Sequence, residues 1–220
     1  MAQRTEAKQR AKLTRERVIA AALQIMDEEG LEAVSMRRVG RELGVEAMSL
    51  YHHVHDKEDL LLGIREQLLS EFIDPGIDGD WELRARRAAR SWRQVLRAHP
   101  NGIGLISAPK RFAMTPTALR PTETALRLLR EIGLSEDEAV KAFCALGGFI
   151  VGFVMFEIGV TRVSGEGQPP SPGELTATIP TDEFPCFMTS LPYLMSGDID
   201  QRFEYGLDLF IAGIRSKSTG

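Results

Sequence analysis

Between Arg37 and Lys57 the chain carries side chains that can hydrogen-bond to DNA. They are small, polar, aromatic or basic, and no acid stands between Glu46 and Asp56, where a carboxylate would repel phosphate. Arginine paired with guanine is the commonest specific contact to a base edge. The candidate DNA-binding residues are Arg37, Ala47, Met48, Ser49, Tyr51, His52, His53 and Lys57.

These residues are also compatible with other interpretations. Tyr51 could pack between helices, and Arg37, Arg38 and Arg41 could form a solvated face. Because Arg41 follows Arg38 by three positions and Arg37 by four, not all three can reach one groove equally well. The cluster His52-His53-x-His55 could bind a metal, but no fourth ligand is evident. We therefore predict neither a metal nor a cofactor.

The neighbouring sequence predicts the helices that position this segment. A first helix follows the N-cap Thr14, has one apolar face and ends at Gly30. Ser35 caps a short second helix that ends at Gly44. A third helix begins near Ala47 with Glu46 as its N-cap, and Val45 and Leu50 stand at the two positions of a hydrophobic staple on either side of that cap. Asp56 caps a fourth helix. Helices two and three have the lengths of a helix-turn-helix, whose second helix enters the major groove.

The remainder of the chain predicts helices and one long loop. Helices are expected over 81–99, 117–132, 136–158, 183–195 and 198–216, with a capping box at Ser135–Glu138. Residues 159–181 are rich in Gly, Pro, Ser and Thr, which predicts a mobile loop. No segment alternates like a strand, so the fold class is all-α. We predict a DNA-binding domain over 1–60 and a larger helical domain over 61–220.

Composition excludes several classes of protein. With 43% hydrophobic and 26% charged residues the chain is globular, and its net charge of −4 argues against non-specific coating of nucleic acid. The uncharged segment 142–156 is shorter than the ~20 residues that span a bilayer, so we predict a buried helix and no membrane. Cys144 and Cys186 stand among apolar residues; we expect both to be buried, in a reducing cytoplasm. Neither a catalytic triad nor a phosphate loop is present, so no enzyme is predicted.

The basic N-terminus has two interpretations. Six Lys or Arg residues and two acids lie between Arg4 and Arg17. The segment is either a solvated tail or an arm that contacts phosphate or the minor groove.

The same motifs resemble those of the tetracycline-repressor (TetR) family. The resemblance is carried by Val34-Ser35-Met36-Arg37-Arg38-Val39, Leu43-Gly44-Val45 and Leu50-Tyr51-x-His53-Val54-x-x-Lys57-x-x-Leu60-Leu61. It implies that six of the candidates contact DNA: Arg37, Met48, Ser49, Tyr51, His53 and Lys57. In the family, the tyrosine and the lysine usually bind phosphate.

The C-terminal part is similar to the tetracycline repressors themselves, through Gly147–Gly152 and Phe203–Ile214. The resemblance implies a homodimer through a four-helix bundle of the eighth and tenth helices. The apolar character of helix 136–158, which must be buried on two sides, agrees with this. Large apolar residues on the surrounding helices predict either an effector pocket, with His99 and Arg111 as polar contacts, or an ordinary hydrophobic core. The candidate ligand-binding residues are Trp92, Leu96, His99, Ile106, Phe112, Met114, Phe149, Phe153 and Phe156.

Tetracycline repressors hold a magnesium ion with a histidine and a glutamate, and the matching positions here are Ile106 and Phe156. Neither side chain can bind a hard cation. We therefore expect a repressor that a small, largely apolar molecule releases from a palindromic DNA operator. The alternative is a regulator controlled by a protein partner or by cysteine oxidation.

Overall fold

The structure is a computed structural model that describes residues 12–107, 115–165, 173, 179–196 and 198–218, and these contain helices and no strand. The expected arm residues before Lys12, most of the predicted loop 159–181, and the effector candidates Arg111, Phe112 and Met114 lie outside the described residues. Two 3₁₀ turns cover Leu31–Ala33 and Pro100–Gly102. The α-helices, numbered here in chain order, are α1 Arg15–Glu29, α2 Met36–Leu43, α3 Ala47–Leu50, α4 Lys57–Ser70, α5 Trp81–Ala98, α6 Ile103–Ser107, α7 Pro116–Glu131, α8 Glu136–Gly165, α9 Pro185–Ser196 and α10 Ile199–Ser218.

The predicted caps begin the helices of the N-terminal half. The Thr14 hydroxyl accepts a hydrogen bond from the Arg17 amide at 3.3 Å. Ser35 and Asp56 accept in the same way from amides three residues later, at 3.2 and 2.8 Å. Each bond satisfies one of the amides that a helix N-terminus leaves without a partner, so the chain fixes where α1, α2 and α4 start.

The helices form two compact units. The first comprises Met1–Glu71 and Asn101–Leu119, and the second comprises Phe72–Pro100 and Arg120–Gly220. The boundary predicted at residue 60 falls inside α4, within the first unit. In that unit α1 packs against α2 and α4, and α6 packs against α4. Fully buried apolar side chains form its core: Val18, Ile25, Met26, Val34, Val39, Leu50, Val54, Leu60, Ile64 and Leu68.

The turn between α2 and α3 depends on two glycines. Gly44 adopts φ +66°, a left-handed conformation that glycine reaches without steric cost, and it ends α2 as predicted. Gly40 lies against the next turn, where a Cβ atom would stand 3.0 Å from the Val45 carbonyl oxygen. The Val45 amide donates to the Gly40 carbonyl at 2.9 Å. The two helices are thus held at backbone contact distance.

In the second unit, α5 packs against α8, and salt bridges join α5 to α10. Arg90 pairs in bidentate fashion with Glu204 at 2.7 and 2.8 Å, and Arg86 pairs with Asp208 at 2.5 Å. A hydrophobic cluster lies where α8 and α10 meet the end of α7. Its buried members are Leu129, Leu134, Ala139 and Ile214.

Helix α8 differs from the prediction in length and in burial. It extends to Gly165, seven residues beyond the predicted end at Ile158, so the first residues of the expected loop are helical. The helix was also expected to be buried on both sides, yet in the single chain Val140, Met155 and Phe156 are exposed. By length and composition alone, Glu136–Gly159 could cross a membrane. A helix with one apolar face on its own core and another facing outward needs a further apolar surface to cover it.

The prediction of buried cysteines is wrong for both residues. Cys144 lies on the outward face of α8 and Cys186 at the start of α9, and both are exposed. Apolar sequence neighbours indicated burial, but these helices expose apolar side chains as well. Phe184 and Phe187 beside Cys186 are 49% and 41% exposed.

Candidate nucleic-acid interface

The recognition segment consists of α3 and the turn that follows it. The regular helix covers only Ala47–Leu50, and hydrogen bonds from the His53 and Val54 amides to the Leu50 carbonyl continue the coil at 2.8 and 3.0 Å. Leu50 and Val54 face the core, as the pattern predicts. With these two residues inside, the others on the segment face outward.

The eight predicted DNA-binding residues all lie on α2, on the recognition segment or at the start of α4. Met48 is 72% exposed and Tyr51 is 45% exposed, so Tyr51 is not a core residue. The structure thus brings the predicted set together on the helix-turn-helix. Arg37, His52 and Lys57 are also exposed, whereas Ala47, Ser49 and His53 are half-buried.

The three arginines of α2 have different surroundings. Arg38 donates to Glu29 at 2.9 Å and to Glu42 at 2.7 Å, so its guanidinium is occupied within the protein. The same hydrogen bond lowers the pKa of the Glu29 carboxyl. Arg37 and Arg41 are exposed. Arg37 and Arg41 are therefore the exposed members of the three, whereas a DNA contact by Arg38 would require it to leave Glu29 and Glu42.

A guanidinium on α1 fixes the C-terminal end of the recognition segment. Arg15 donates from Nη1 and Nη2 to the two Asp59 carboxylate oxygens at 2.9 and 2.6 Å, and from Nη1 to the His53 carbonyl at 3.0 Å. Asp59 also accepts from the His55 amide at 2.9 Å. One side chain therefore joins α1, the recognition segment and the first turn of α4.

The sequence did not reveal this role. In the sequence, Arg15 is one of the basic residues between Arg4 and Arg17, and Asp59 follows the cap Asp56 by three positions. The two positions are 44 residues apart, so no local pattern relates them.

The Arg15 clamp has an electrostatic consequence. Its hydrogen bonds lower the pKa of Asp59 from 3.8 to about 2, with smaller contributions from the His55 amide and from Coulomb attraction. The carboxylate is therefore ionised throughout the physiological range. Within the described residues, no group of three or more His, Cys, Asp or Glu side chains could hold a metal ion.

The described effector candidates belong to both units. Ile106 is buried in the first unit. In the second unit Leu96 is fully buried, His99 is half-buried and Phe156 is 54% exposed. Trp92 packs edge-on against Phe72 at 6.0 Å between ring centroids.

Phe149 and Phe153 belong to an aromatic cluster between α8 and α10. Phe149 stacks on Phe203 at 5.6 Å and lies 5.0 Å from Phe210, and Phe153 meets Phe203 edge-on at 5.3 Å. Two cavities of about 570 and 550 Å³ occur in the second unit, and other residues line them. The effector candidates thus stay a prediction from the sequence.

A helix-turn-helix whose recognition segment carries no acid between Glu46 and Asp56, in a chain whose described residues form helices and no strand, defines a DNA-binding regulatory protein. Residues 18–64 match the family described as bacterial regulatory proteins, tetR family. Residues 75–218 match the tetracyclin repressor-like, C-terminal domain. The chain belongs to the TetR family of transcriptional regulators, which are DNA-binding proteins and not enzymes.

Individual relatives agree with this assignment. The HTH-type transcriptional repressor DrrR1 of Streptomyces coeruleorubidus is 37% identical over 64% of this chain, and the match spans 52% of that relative's length. The class C tetracycline repressor of Escherichia coli is 30% identical, covering 92% of this chain and 91% of its own. The Streptomyces coelicolor TetR family protein ActR, solved in complex with actinorhodin, superimposes with a TM-score of 0.76 at 29% identity, over 96% of this chain and 100% of its own.

We expect the clamp to appear in the pH dependence of stability. The folded-state pKa of Asp59 is depressed, so its contribution is present above the unfolded pKa of 3.8 and disappears as pH falls towards about 2. At neutral pH, Asp59→Asn should lower the free energy of unfolding by on the order of 1–2 kcal/mol, allowing for solvent screening at the partly exposed Arg15.

The measurement is urea unfolding of wild type and variant between about pH 7 and about pH 2. The difference between the two proteins should be constant above about pH 5 and shrink below about pH 4. Asp78→Asn, in an exposed loop, is the matched control. A difference that stays constant down to the lowest pH would contradict the clamp.

Proposed function

We propose that the chain is a ligand-responsive repressor that binds a palindromic DNA operator as a homodimer. A small, largely apolar molecule that binds the C-terminal domain releases it. The observation that carries this proposal is the helix-turn-helix, whose reading face is exposed while its inner residues are buried. Relatives of similar length support it, because the class C match is named a repressor and ActR was solved with a small molecule.

On DNA, the recognition segment enters the major groove with its exposed side chains leading. Met48 and Ser49 stand at its start, from where side chains of a recognition helix contact bases. Tyr51 and Lys57 lie at its end and at the beginning of α4, and they bind phosphate. Arg37 approaches from α2. Phosphate contacts fix the register of the protein on the duplex, and contacts to base edges provide the specificity.

The homodimer is supported by the outward faces of α8 and α10. In addition to the exposed residues of α8, Tyr205 is 67% exposed and Leu209 is 60% exposed on α10. Between the two helices lies a groove of about 570 Å³, lined mainly by apolar side chains such as Ala142, Ala145 and Phe210. A second copy covers the same surface by two-fold symmetry, which also matches the symmetry of a palindrome.

The chemistry of the C-terminal domain favours an effector bound without magnesium. Ile106 and Phe156 offer no ligand to a hard cation. Glu157, the carboxylate nearest in sequence to Phe156, is buried and already engaged: Arg93 donates to its two oxygens at 3.1 and 3.2 Å, and Arg97 lies 3.0 Å from one of them. Its negative charge is therefore balanced by the protein.

Cysteine oxidation is a second candidate, because both thiols are exposed in the single chain. It differs from the first proposal in the signal and not in the DNA-binding machinery. Operator affinity that peroxide leaves unchanged would exclude it.

Operator binding is tested by fluorescence anisotropy with the DNA immediately upstream of the protein's own gene, at about 50 and about 200 mM salt. We expect tight binding with a clear preference over scrambled DNA. Lys57→Ala should weaken binding to both DNAs alike and reduce the salt slope by ~1 per protomer, as expected for a phosphate contact.

Met48→Ala should instead change the ratio between the operator and its single-base variants, because this side chain faces the base edges. Arg127→Ala removes one positive charge from an exposed position on α7 and is the control for net charge. Equal, weak binding of the wild type to both DNAs would contradict the assignment of this reading face.

The dimer surface is tested with Leu209→Glu. A carboxylate at this position would be buried twice in a symmetric interface, at a cost of several kcal/mol. We expect a monomer in sedimentation velocity and at least a ~100-fold loss of operator affinity, since the two reading heads no longer bind together. Ile77→Glu, at an exposed loop residue, is the matched control. A dimeric Leu209→Glu protein would place the interface elsewhere.

The effector class is tested by thermal unfolding with tetracycline, with and without magnesium, with a panel of apolar drugs, and separately with actinorhodin. We expect that magnesium does not change the Tm in the presence of tetracycline. A bound apolar compound should stabilise the protein by ~2.7 kcal/mol at a concentration of 100 Kd. A rise in Tm that requires tetracycline and magnesium together would overturn the proposal.

A further inference from the structure

A side-chain amide anchors the point where the chain returns from the second unit to the first. The first segment of the second unit ends at Pro100, and the first unit resumes at Asn101. The Asn101 Nδ2 group donates to the Met26 carbonyl at 3.0 Å and to the Asp27 carbonyl at 3.1 Å. These residues are about 75 positions apart in sequence, so the contact is made by the fold and not by chain proximity.

The acceptors are suited to hold an amide donor. Both carbonyls belong to the last turn of α1, which ends at Glu29 and is followed by Gly30. Carbonyls at a helix C-terminus lack a full set of partners within the helix and carry the negative end of its dipole. The Met26 carbonyl also accepts from the Gly30 amide at 2.9 Å, which its two lone pairs allow. The Met26 side chain is fully buried, so these acceptors are part of the rigid core of the unit.

The residues after Asn101 continue this attachment. Gly102 is buried, and α6 packs against α4. Leu105 and Ile106, on α6, are 3% and 9% exposed. The segment 101–107 is therefore held at its start by hydrogen bonds to α1 and further along by apolar packing, all within the DNA-reading unit.

Helix α1 thus carries a polar clamp at each end. At its N-terminal end Arg15 holds the recognition segment and α4, and at its C-terminal end two carbonyls hold Asn101. A displacement of the segment 101–107 would therefore be transmitted by α1, as a rigid helix, to the residues of the recognition segment. This route exists beside the contact between α6 and α4.

We propose that Asn101 is a positioning residue for DNA binding. Its amide fixes the entry of the α6 segment on α1, so that the dimer accepts only one separation of its two half-sites. It acts through α1 and touches neither DNA nor effector. This inference rests on the proposed function, because it needs an operator with two half-sites.

The test compares operator DNA with the same operator carrying one base pair inserted between the half-sites. The insertion shifts and rotates one half-site relative to the other, so a rigidly positioned dimer loses affinity. We expect the ratio between the affinities for the original and the lengthened operator to be about tenfold smaller in Asn101→Ala than in wild type. Without the amide, the recognition segment can adjust to the altered spacing. Asn101→Asp should reduce this ratio at least as much, since a carboxylate would face two carbonyl oxygens.

Gln24→Ala is the matched control, because it removes another side-chain amide from α1, one that donates to Glu28 at 2.8 Å on the exposed face. It should keep the wild-type ratio between the two DNAs. A residue with a merely structural role would lower the affinity for both DNAs by the same factor, so an unchanged ratio in both Asn101 variants overturns the proposal.

Hydrogen exchange of the free protein tests, without DNA, whether the Asn101 hydrogen bonds hold the segment 101–107. In Asn101→Ala the amides of Ile103–Ser107 should exchange faster than in wild type and in Gln24→Ala, under conditions where all three proteins are folded. Unchanged exchange would also refute the proposal that Asn101 holds this segment. If wild type itself shows no operator preference, the proposed function fails, and the exchange result still decides whether Asn101 holds the segment.

Discussion

The guanidinium of Arg15 makes the contacts on which the position of the recognition segment depends. The recognition segment has only one regular helical turn, Ala47–Leu50, and a helix of this length has little stability of its own. Two buried residues, Leu50 and Val54, hold it from inside. Its C-terminal end is held by the bond from Arg15 to the His53 carbonyl and, through Asp59, by the start of α4. The positions of Tyr51 and Lys57 therefore depend on a side chain that belongs to a different helix.

Local rules account for most of the helix boundaries. Thr14, Ser35, Asp56 and Gly44 each act through groups within a few residues, so their types and spacing predict the starts of three helices and the turn between α2 and α3. For the same reason the outward face of the helix-turn-helix was predictable, since it follows from which residues point to the core.

What the sequence could not predict depends on distant contacts or on a partner surface. The Arg15 clamp joins residues 44 positions apart. The exposure of Cys144 could not be predicted, because an apolar face of a helix has the same sequence pattern whether its own chain or a second copy covers it. Phe149 and Phe153, which the sequence predicts in the effector pocket, pack on Phe203 of α10, a contact that no local pattern relates.

Within the first unit, the segment 101–107 is attached by two kinds of contact that respond differently to movement. Apolar packing such as that of α6 on α4 is non-directional and tolerates small sliding, whereas a hydrogen bond weakens steeply when its angle changes. A joint made only of apolar contacts would pass on little of a small displacement. The Asn101 bonds are directional and end on a helix whose other end carries the equally directional Arg15 clamp. Helix α1 is itself held rigid by its hydrogen bonds. These polar contacts therefore make the recognition segment move together with α1 and the segment 101–107.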